Sequence, residues 1–480
     1  MSVFKKLLSQ TAIYGLSSIL GRVLNTLLTP LYTKAFAEGE YGWVSDLYSW
    51  TTFVLVVLTF GMETTFFKFM RDTNQPEKIY HQGISFVGGL TLLFTALCLM
   101  FAPQITHLLG YETYPNLIYW GLIVIALDAL SALPMAKLRA DEKPKHFAII
   151  NLMNIALLMG LNTYFVLVLK KGIEYVFIAN IIASGIKLVM ALALNFPKQI
   201  TFDIKLLRPM LKYGFFIMIA GFAGMMNENL DKILIARLWE DGSLFHGVAR
   251  TGRDLQGLYS AGYKLGIFIA LVTQAFRYAA EPFFFKHSTE KDSPKTFAKI
   301  FHYFVLACLG CFLLISAFRL EIVSVKILGF TFLNQRYWES LEIVPIILMA
   351  YVFSAAYTQL SVWYKLSGQT HFALYFTGIG AAITIIINVL TIADYGYIGS
   401  AWATLICYVV MSILAYYFGQ KYYPVPYQIK KLSLYFLAIT ACFFLTEQCG
   451  NMTLTAVLLK LGICFGMLVG IYIIERRKIA

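Results

Sequence analysis

The chain has 480 residues, 59% of them hydrophobic and only 14% charged, with a formal net charge of +13. A soluble domain carries about a quarter charged residues, so this composition excludes a water-facing globular surface and makes lipid the better solvent. The 16% aromatic content, with 30 Tyr and 39 Phe, suits lipid-facing and interfacial positions.

Lys5 and Lys6 precede a long apolar stretch with no small-residue cleavage site, which predicts a retained first helix rather than a removed signal peptide. A membrane span needs about 20 mostly apolar residues. Fourteen segments qualify: 10–35, 42–68, 82–102, 116–137, 147–169, 173–195, 209–236, 256–285, 297–318, 340–364, 372–393, 398–419, 430–447 and 453–474. They are too long and too evenly apolar to alternate as barrel strands. The expected fold is therefore an all-α integral membrane protein. Six of the 7 cysteines lie in apolar runs, so no disulfide framework is expected. Cys308 and Cys311 sit mid-helix as packing residues.

Lys and Arg in the loops set the orientation. With a cytoplasmic N-terminus, the inner segments hold 24 of the 39 basic residues, the outer segments 9, and six lie inside spans. Both termini are then cytoplasmic, as an even span count requires. The basic excess faces anionic inner-leaflet lipid, and no nucleic-acid partner is needed.

The chain also resembles itself at a separation of 215–226 residues. ETTFFK at 63–68 matches EPFFFK at 281–286, YGWVSDLY at 41–48 parallels QGLYSAGY at 256–263, and HFA at 146–148 recurs at 371–373. Asn162 parallels Asn388, and Gly172 parallels Gly396. Such a repeat predicts two six-span lobes of equal topology, 1–200 and 201–420, with 421–480 as two appended spans. Transporters place their substrate between such lobes.

Charges inside the spans sharpen this reading. Each costs roughly 2.5–3.5 kcal/mol at the bilayer centre and normally faces a bundle interior or a wet cavity. Glu228 with Lys232, and Arg277 with Glu281, are four apart and can neutralise themselves along one helix. Glu63 and Asp46 lie near span ends. Arg22, Lys187 and Lys264 have no acidic residue three or four positions away. Arg22 shares a face with Asn25. Cations facing a cavity make an anion site, and phosphate suits Arg. Asp128 on another span is an alternative partner for Lys187. Glu228, Asp231 and Asp128 can instead bind a coupling Na+ or H+. Pro30 permits a bend in the first span, and Gly221 and Gly224 offer close helix approach or a hinge in the seventh.

No phosphate-binding loop and no H-E-x-x-H zinc motif occur, so neither ATP hydrolysis nor a metal or cofactor is expected. No loop exceeds roughly 20 residues by these boundaries, which leaves no room for a catalytic domain; the chain reads as a transporter and not an enzyme.

The opening, LLSQTAIYGLSSILGRVLNTLLTPLYTKAFAEGEYGWVSDLYSW at 7–50, resembles the multidrug/oligosaccharidyl-lipid/polysaccharide exporter superfamily. It is most similar to the polysaccharide-transport branch, the O-antigen repeat-unit flippases. There a first span with a central Arg runs into P-L-Y-T, an acidic turn and Y-G. The resemblance implies flipping of an undecaprenyl-diphosphate-linked oligosaccharide from the inner to the outer leaflet of a bacterial plasma membrane by alternating access. It further implies that basic residues of the first and eighth spans, here Arg22, Lys264 and Arg277, attract the diphosphate. The rival readings are a cation-coupled multidrug antiporter, for which Glu228, Asp231 and Asp128 speak, and a lipid II flippase.

Overall fold

The computed structural model describes residues 23, 26–71, 75–287, 292–327 and 330–476. Among them, twelve helices are long and apolar enough to cross a membrane. Two facts relate this to the fourteen predicted spans. His371–Tyr422, 52 residues, is two helices joined across a kink at Gly396, where the sequence predicts 372–393 and 398–419. The first predicted span, 10–35, lies mostly outside the described residues. The other spans match the predicted segments, with ends that differ by up to eight residues, as at 256–285 against Gly252–Arg277.

The chain divides into two compact units between Ala236 and Arg237. The first contains α1 (Leu28–Ala35), α2 (Glu38–Thr59), α3 (Met62–Arg71), α4 (Pro76–Met100), α5 (Ala102–Leu108) and α6 (Asn116–Ala140). It continues with α7 (Pro144–Asn162), a π turn over Thr163–Val168, α8 (Glu174–Leu194) and nearly all of α9 (Ile204–Leu238). Local sequence explains the boundaries. Prolines open α4 and α7 at N1, where a missing N–H is harmless. The acidic turn Glu38 and Glu40 begins α2, and the Glu40 carboxylate accepts the Ala37 N–H at 3.0 Å, which complements the helix dipole. Phe60 and Gly61 have positive φ, 51° and 61°, and separate α2 from α3. Glycine is required here by space as well, since a Cβ on Gly61 would sit 2.8 Å from Ile217, and one on Gly214 only 2.7 Å from the Phe60 carbonyl oxygen. The break thus lies flush on α9. Met62, Phe66, Tyr80, Leu133 and Met210 form the adjoining core.

The second unit holds a short hairpin, β1 (Leu244–Phe245) with β2 (Val248–Ala249), then α10 (Gly252–Tyr263), a 3-10 turn (Lys264–Gly266), α11 (Ile267–His287) and α12 (Ser293–Ala317). After α13 (Arg319–Ser324) come the strand pair β3 (Lys326–Ile327) and β4 (Phe330–Thr331), a 3-10 segment over Gln335–Ile343, and α14 (Val344–Leu360). The unit closes with α15 (Val362–Leu366), the kinked α16 (His371–Tyr422), α17 (Ile429–Glu447) and α18 (Leu454–Arg476). Ala350, Cys407, Tyr408 and Met411 form a core between α14 and α16. The kink has two causes: Gly396 adopts φ 53°, and a Cβ there would meet the Phe245 ring at 2.8 Å. All seven cysteines are free thiols.

Burial is inverted relative to a soluble protein. Leu92, Val189, Leu390, Leu437 and Phe465 are each about 60% exposed or more in mid-helix. A monomer in water rarely exposes such contiguous apolar area; acyl chains cover it in a bilayer.

Candidate functional site

Within the first unit, the intramembrane charges gather around Asp128 on α6 and Lys187 on α8. Asn180, Ser184 and Lys187 recur at spacings of four and three, which places them on one helix face. The Lys187 ammonium meets the Asp128 carboxylate at 3.2 Å. Ser184 donates to the same carboxylate oxygen at 3.0 Å and also contacts the Asn180 side-chain oxygen at 3.2 Å. The Asn180 amide in turn donates to the Tyr48 hydroxyl on α2 at 3.2 Å. The chain Lys187–Asp128–Ser184–Asn180–Tyr48 therefore joins three spans through polar atoms. Lys187 and Asp128 are 21% and 23% exposed, so neither is solvated well enough to stand alone at this depth. Of the partners the sequence offers Lys187, the structure selects Asp128. The sequence reading overlooks Tyr48, Asn180 and Ser184, although the spacing of the last two from Lys187 was a visible signal.

Two further candidate cations, Lys264 and Arg277, belong to the second unit. Lys264 is half-buried at the start of the 3-10 turn that interrupts the eighth span. Two glycines pin that turn: a Cβ on Gly262 would lie 2.5 Å from the Ser340 carbonyl oxygen, and one on Gly266 only 2.6 Å from the Tyr351 ring. A mid-span 3-10 segment marks a hinge or a strained site, and here it holds Lys264 between two fixed contacts. Arg277 is exposed on α11, thirteen residues further along, or about 20 Å at 1.5 Å per residue. The two cations therefore do not grip one phosphate group together. Arg22 and Asn25 lie outside the described residues.

On α9, Asp231 is buried and its carboxylate accepts the Lys232 backbone N–H at 2.8 Å. The Lys232 ammonium donates to the Glu228 carbonyl oxygen at 3.0 Å and to the Asn229 side chain at 3.1 Å; Glu228 itself is exposed. The helix runs unbroken through Gly221 and Gly224. A Cβ on Gly221 would reach Val56 at 3.4 Å, whereas Gly224 faces open space. Pro30 is the third residue of α1, and Leu27 just before that helix keeps a helical backbone with its N–H on the Val23 carbonyl at 3.1 Å. The span-end acids are structural. Asp46, fully buried, accepts the Tyr111 hydroxyl at 2.7 Å, and Glu63 pairs with Arg139 at 2.7 Å. No group of three or more His, Cys, Asp or Glu able to hold a metal ion occurs among the described residues.

Outside the spans, Asp203 pairs with Lys78 at 3.0 Å, tying the loop before α9 to the start of α4. The Lys78 hydrogen bond holds the Asp203 carboxyl below its usual range.

Residues 7–288 match the family model described as polysaccharide biosynthesis protein. Several solved structures share the fold. A structure titled lipid II flippase MurJ, inward closed conformation, aligns with a TM-score of 0.74 at 16% identity, covering 98% of this chain and 100% of that one. An inward-facing multidrug resistance MATE family transporter of the MOP superfamily aligns at 0.64 and 11% identity, covering 83% and 94%. A MOP superfamily transporter from Pyrococcus furiosus, titled for the reverse polarity of its binding pocket, aligns at 0.58 and 12%, covering 86% and 95%. No curated protein sequence matches the chain.

Proposed function

Since the chain belongs to the polysaccharide biosynthesis protein family and has the fold of flippases and multidrug transporters of the MOP superfamily, we propose that it flips an undecaprenyl-diphosphate-linked oligosaccharide. The movement runs from the inner to the outer leaflet of a bacterial plasma membrane, with both termini cytoplasmic. The observation that carries this reading is the family match over 7–288. That stretch includes Arg22, Lys264 and Arg277, the cations assigned here to the diphosphate. The substrate headgroup is polar and doubly phosphorylated, so it cannot cross hydrocarbon unaided. Cations along the passage offer it successive counter-charges while the polyprenyl tail stays in the bilayer. Lys264 suits this role because its helix break is pinned, which fixes the position of the charge. Arg277, about 20 Å along the same helical run, serves as an earlier or later contact in the passage. Lys187, neutralised by Asp128 at rest, reaches substrate only if that pair opens, with a Na+ or H+ then free to join Asp128; Glu228 and Asp231 are the further coupling-ion candidates.

The test is genetic and chemical together. Deletion removes surface polysaccharide and accumulates its lipid-linked precursor in the inner leaflet. The Arg22→Ala/Lys264→Ala double variant, present in the membrane at normal amount, fails to restore it. Full polysaccharide with that variant would overturn the assignment of the site. Rescue of a strain depleted of its lipid II flippase, or drug efflux in a pump-deficient host without polysaccharide rescue, would overturn the substrate.

A further inference from the structure

A second polar feature lies wholly within the second unit, and Lys264 does not line it. A cavity of about 630 Å³ opens between the start of α12, the start of α17 and the end of α18. Lys295, Lys299, His302 and Lys431 line it, with Glu475 on the α18 side. Lys295, Lys299 and His302 recur at spacings of four and three along α12, so one helix face carries them into the cavity. Two exposed lysines four apart repel each other. Lys295 and Lys431 also stand in the first turns of their helices, where the dipole is positive and cations are disfavoured. The sequence thus assembles positive charge at the place where helix electrostatics resist it.

Only part of this charge is answered. Glu475 pairs with Lys431 and with His302 Nε2, at 3.1 Å in the latter case, and accepts the Tyr435 hydroxyl at 2.7 Å. Lys295 meets Asp292 at 3.0 Å in an exposed pair. His302 is 97% buried, yet its Nδ1 has no hydrogen-bond partner among the described residues. Three lysines and the N-terminus of α17 around one cavity make a receptor for an anion rather than for a cation or an apolar chain.

We propose that this cavity binds a phosphate ester anion, held by Lys295, Lys299 and Lys431 and by the first-turn amides of α17. Glu475 acts as an internal brace that orients Lys431 and His302. The cavity lies at the membrane edge where α12 and α17 begin, which in the proposed orientation is the cytoplasmic headgroup layer. An anionic phospholipid headgroup and a soluble phosphate share the required chemistry. The site is distinct from the substrate path through Lys264 and stands whether or not the flippase reading holds.

The experiment measures binding of short-chain phosphatidylglycerol, short-chain phosphatidylcholine and inorganic phosphate to the purified full-length protein, by thermal shift and native mass spectrometry. Phosphatidylglycerol binding without phosphatidylcholine binding assigns a lipid; stabilisation by millimolar phosphate alone assigns a soluble ligand; either supports the site. Lys295→Gln/Lys299→Gln leaves the Glu475 brace intact and should fold normally. It should weaken anion binding about 30-fold, the loss expected for two lysines facing anionic lipid. Equal binding of the two lipids with no phosphate effect, or unchanged anion binding in the double variant, overturns the proposal. A Glu475→Gln variant that melts much earlier while still binding the anion would overturn the brace role.

Discussion

The Lys187–Asp128 pair gives the most quantitative test of the first unit. At 3.2 Å and an effective dielectric of about 20, the Coulomb attraction is about 5 kcal/mol. Both side chains keep about a fifth of their surface exposed, so desolvation and screening cancel part of it. Removing one partner from a fully buried pair costs about 3–5 kcal/mol, and this pair should lie at the low end, about 3 kcal/mol. Asp128→Asn strands the ammonium with Ser184 and Asn180 as its neighbours; Lys187→Met strands the carboxylate. A domain of this size shifts by about 2–4 °C per kcal/mol, so each single variant should melt about 6–12 °C lower in detergent. Asp128→Leu/Lys187→Met leaves no uncompensated charge and keeps the Ser184–Asn180 contact, so it should recover most of the loss. Differential scanning calorimetry is the readout, because the seven tryptophans are spread over both units. Single variants that melt like the native protein, or a double variant no better than the singles, would refute the pairing.

Gly262→Val should destabilise the second unit by about 1–3 kcal/mol, the usual cost of overpacking, because the new Cβ would lie 2.5 Å from a backbone carbonyl that cannot move aside. It should also abolish polysaccharide rescue by displacing Lys264, whereas Gly224→Val, facing open space, should stay within about 0.5 kcal/mol; thermal melting with rescue assays separates the two. Asp203, lowered by Lys78, contributes stability that is present above its unfolded value of about 3.9 and is lost as pH falls through the lowered folded value. The melting difference between native protein and Asp203→Asn should therefore hold at neutral pH and vanish at strongly acid pH; a difference that grew on acidification would contradict this.

The span pattern was legible because hydrocarbon imposes one rule on every segment: about 20 apolar residues with backbone bonds satisfied internally. Even the kink between two spans was marked, since Gly396 stood at the junction of 372–393 and 398–419. Side-chain partners were much harder to read. The i,i+4 rule put Lys232 with the Glu228 carboxylate, but the ammonium bonds the Glu228 carbonyl instead, an option open to any long side chain pointing back along its own helix. The contact of Lys460 with Glu321 at 3.0 Å joins residues 139 positions apart, a pairing only packing can choose. Gly221 and Gly224 looked like the close-approach glycines of α9, whereas Gly214 has the tight contact. Sequence shows where a small residue stands but not which helix lies opposite.

The internal repeat bears on what the Asp128–Lys187 pair is for. Asn162 and Asn388, matched by sequence alone, behave alike: each is fully buried and donates to the carbonyl four residues back at 2.7 Å. Each also accepts a hydroxyl, from Tyr32 at 2.9 Å in one case and Ser400 at 2.5 Å in the other. The same repeat matches the fourth and sixth spans, α6 and α8, with the tenth and twelfth, α14 and the second half of α16. The first pair of helices meets through Asp128 and Lys187 and through Met135, Leu138 and Ala191; the second meets through Ala350, Cys407, Tyr408 and Met411. Both helix pairings thus carry an apolar core, and the first adds an ion pair that the second lacks among the described residues. Apolar packing is a sufficient solution, and a buried ion pair is often no more stable than well-packed hydrophobic residues of similar volume. The charge in the first unit is therefore not demanded by folding. If it serves transport, the Asp128→Leu/Lys187→Met protein should melt near the native temperature and yet leave the lipid-linked precursor in the inner leaflet; restored transport in that folded variant would reduce the pair to scaffold.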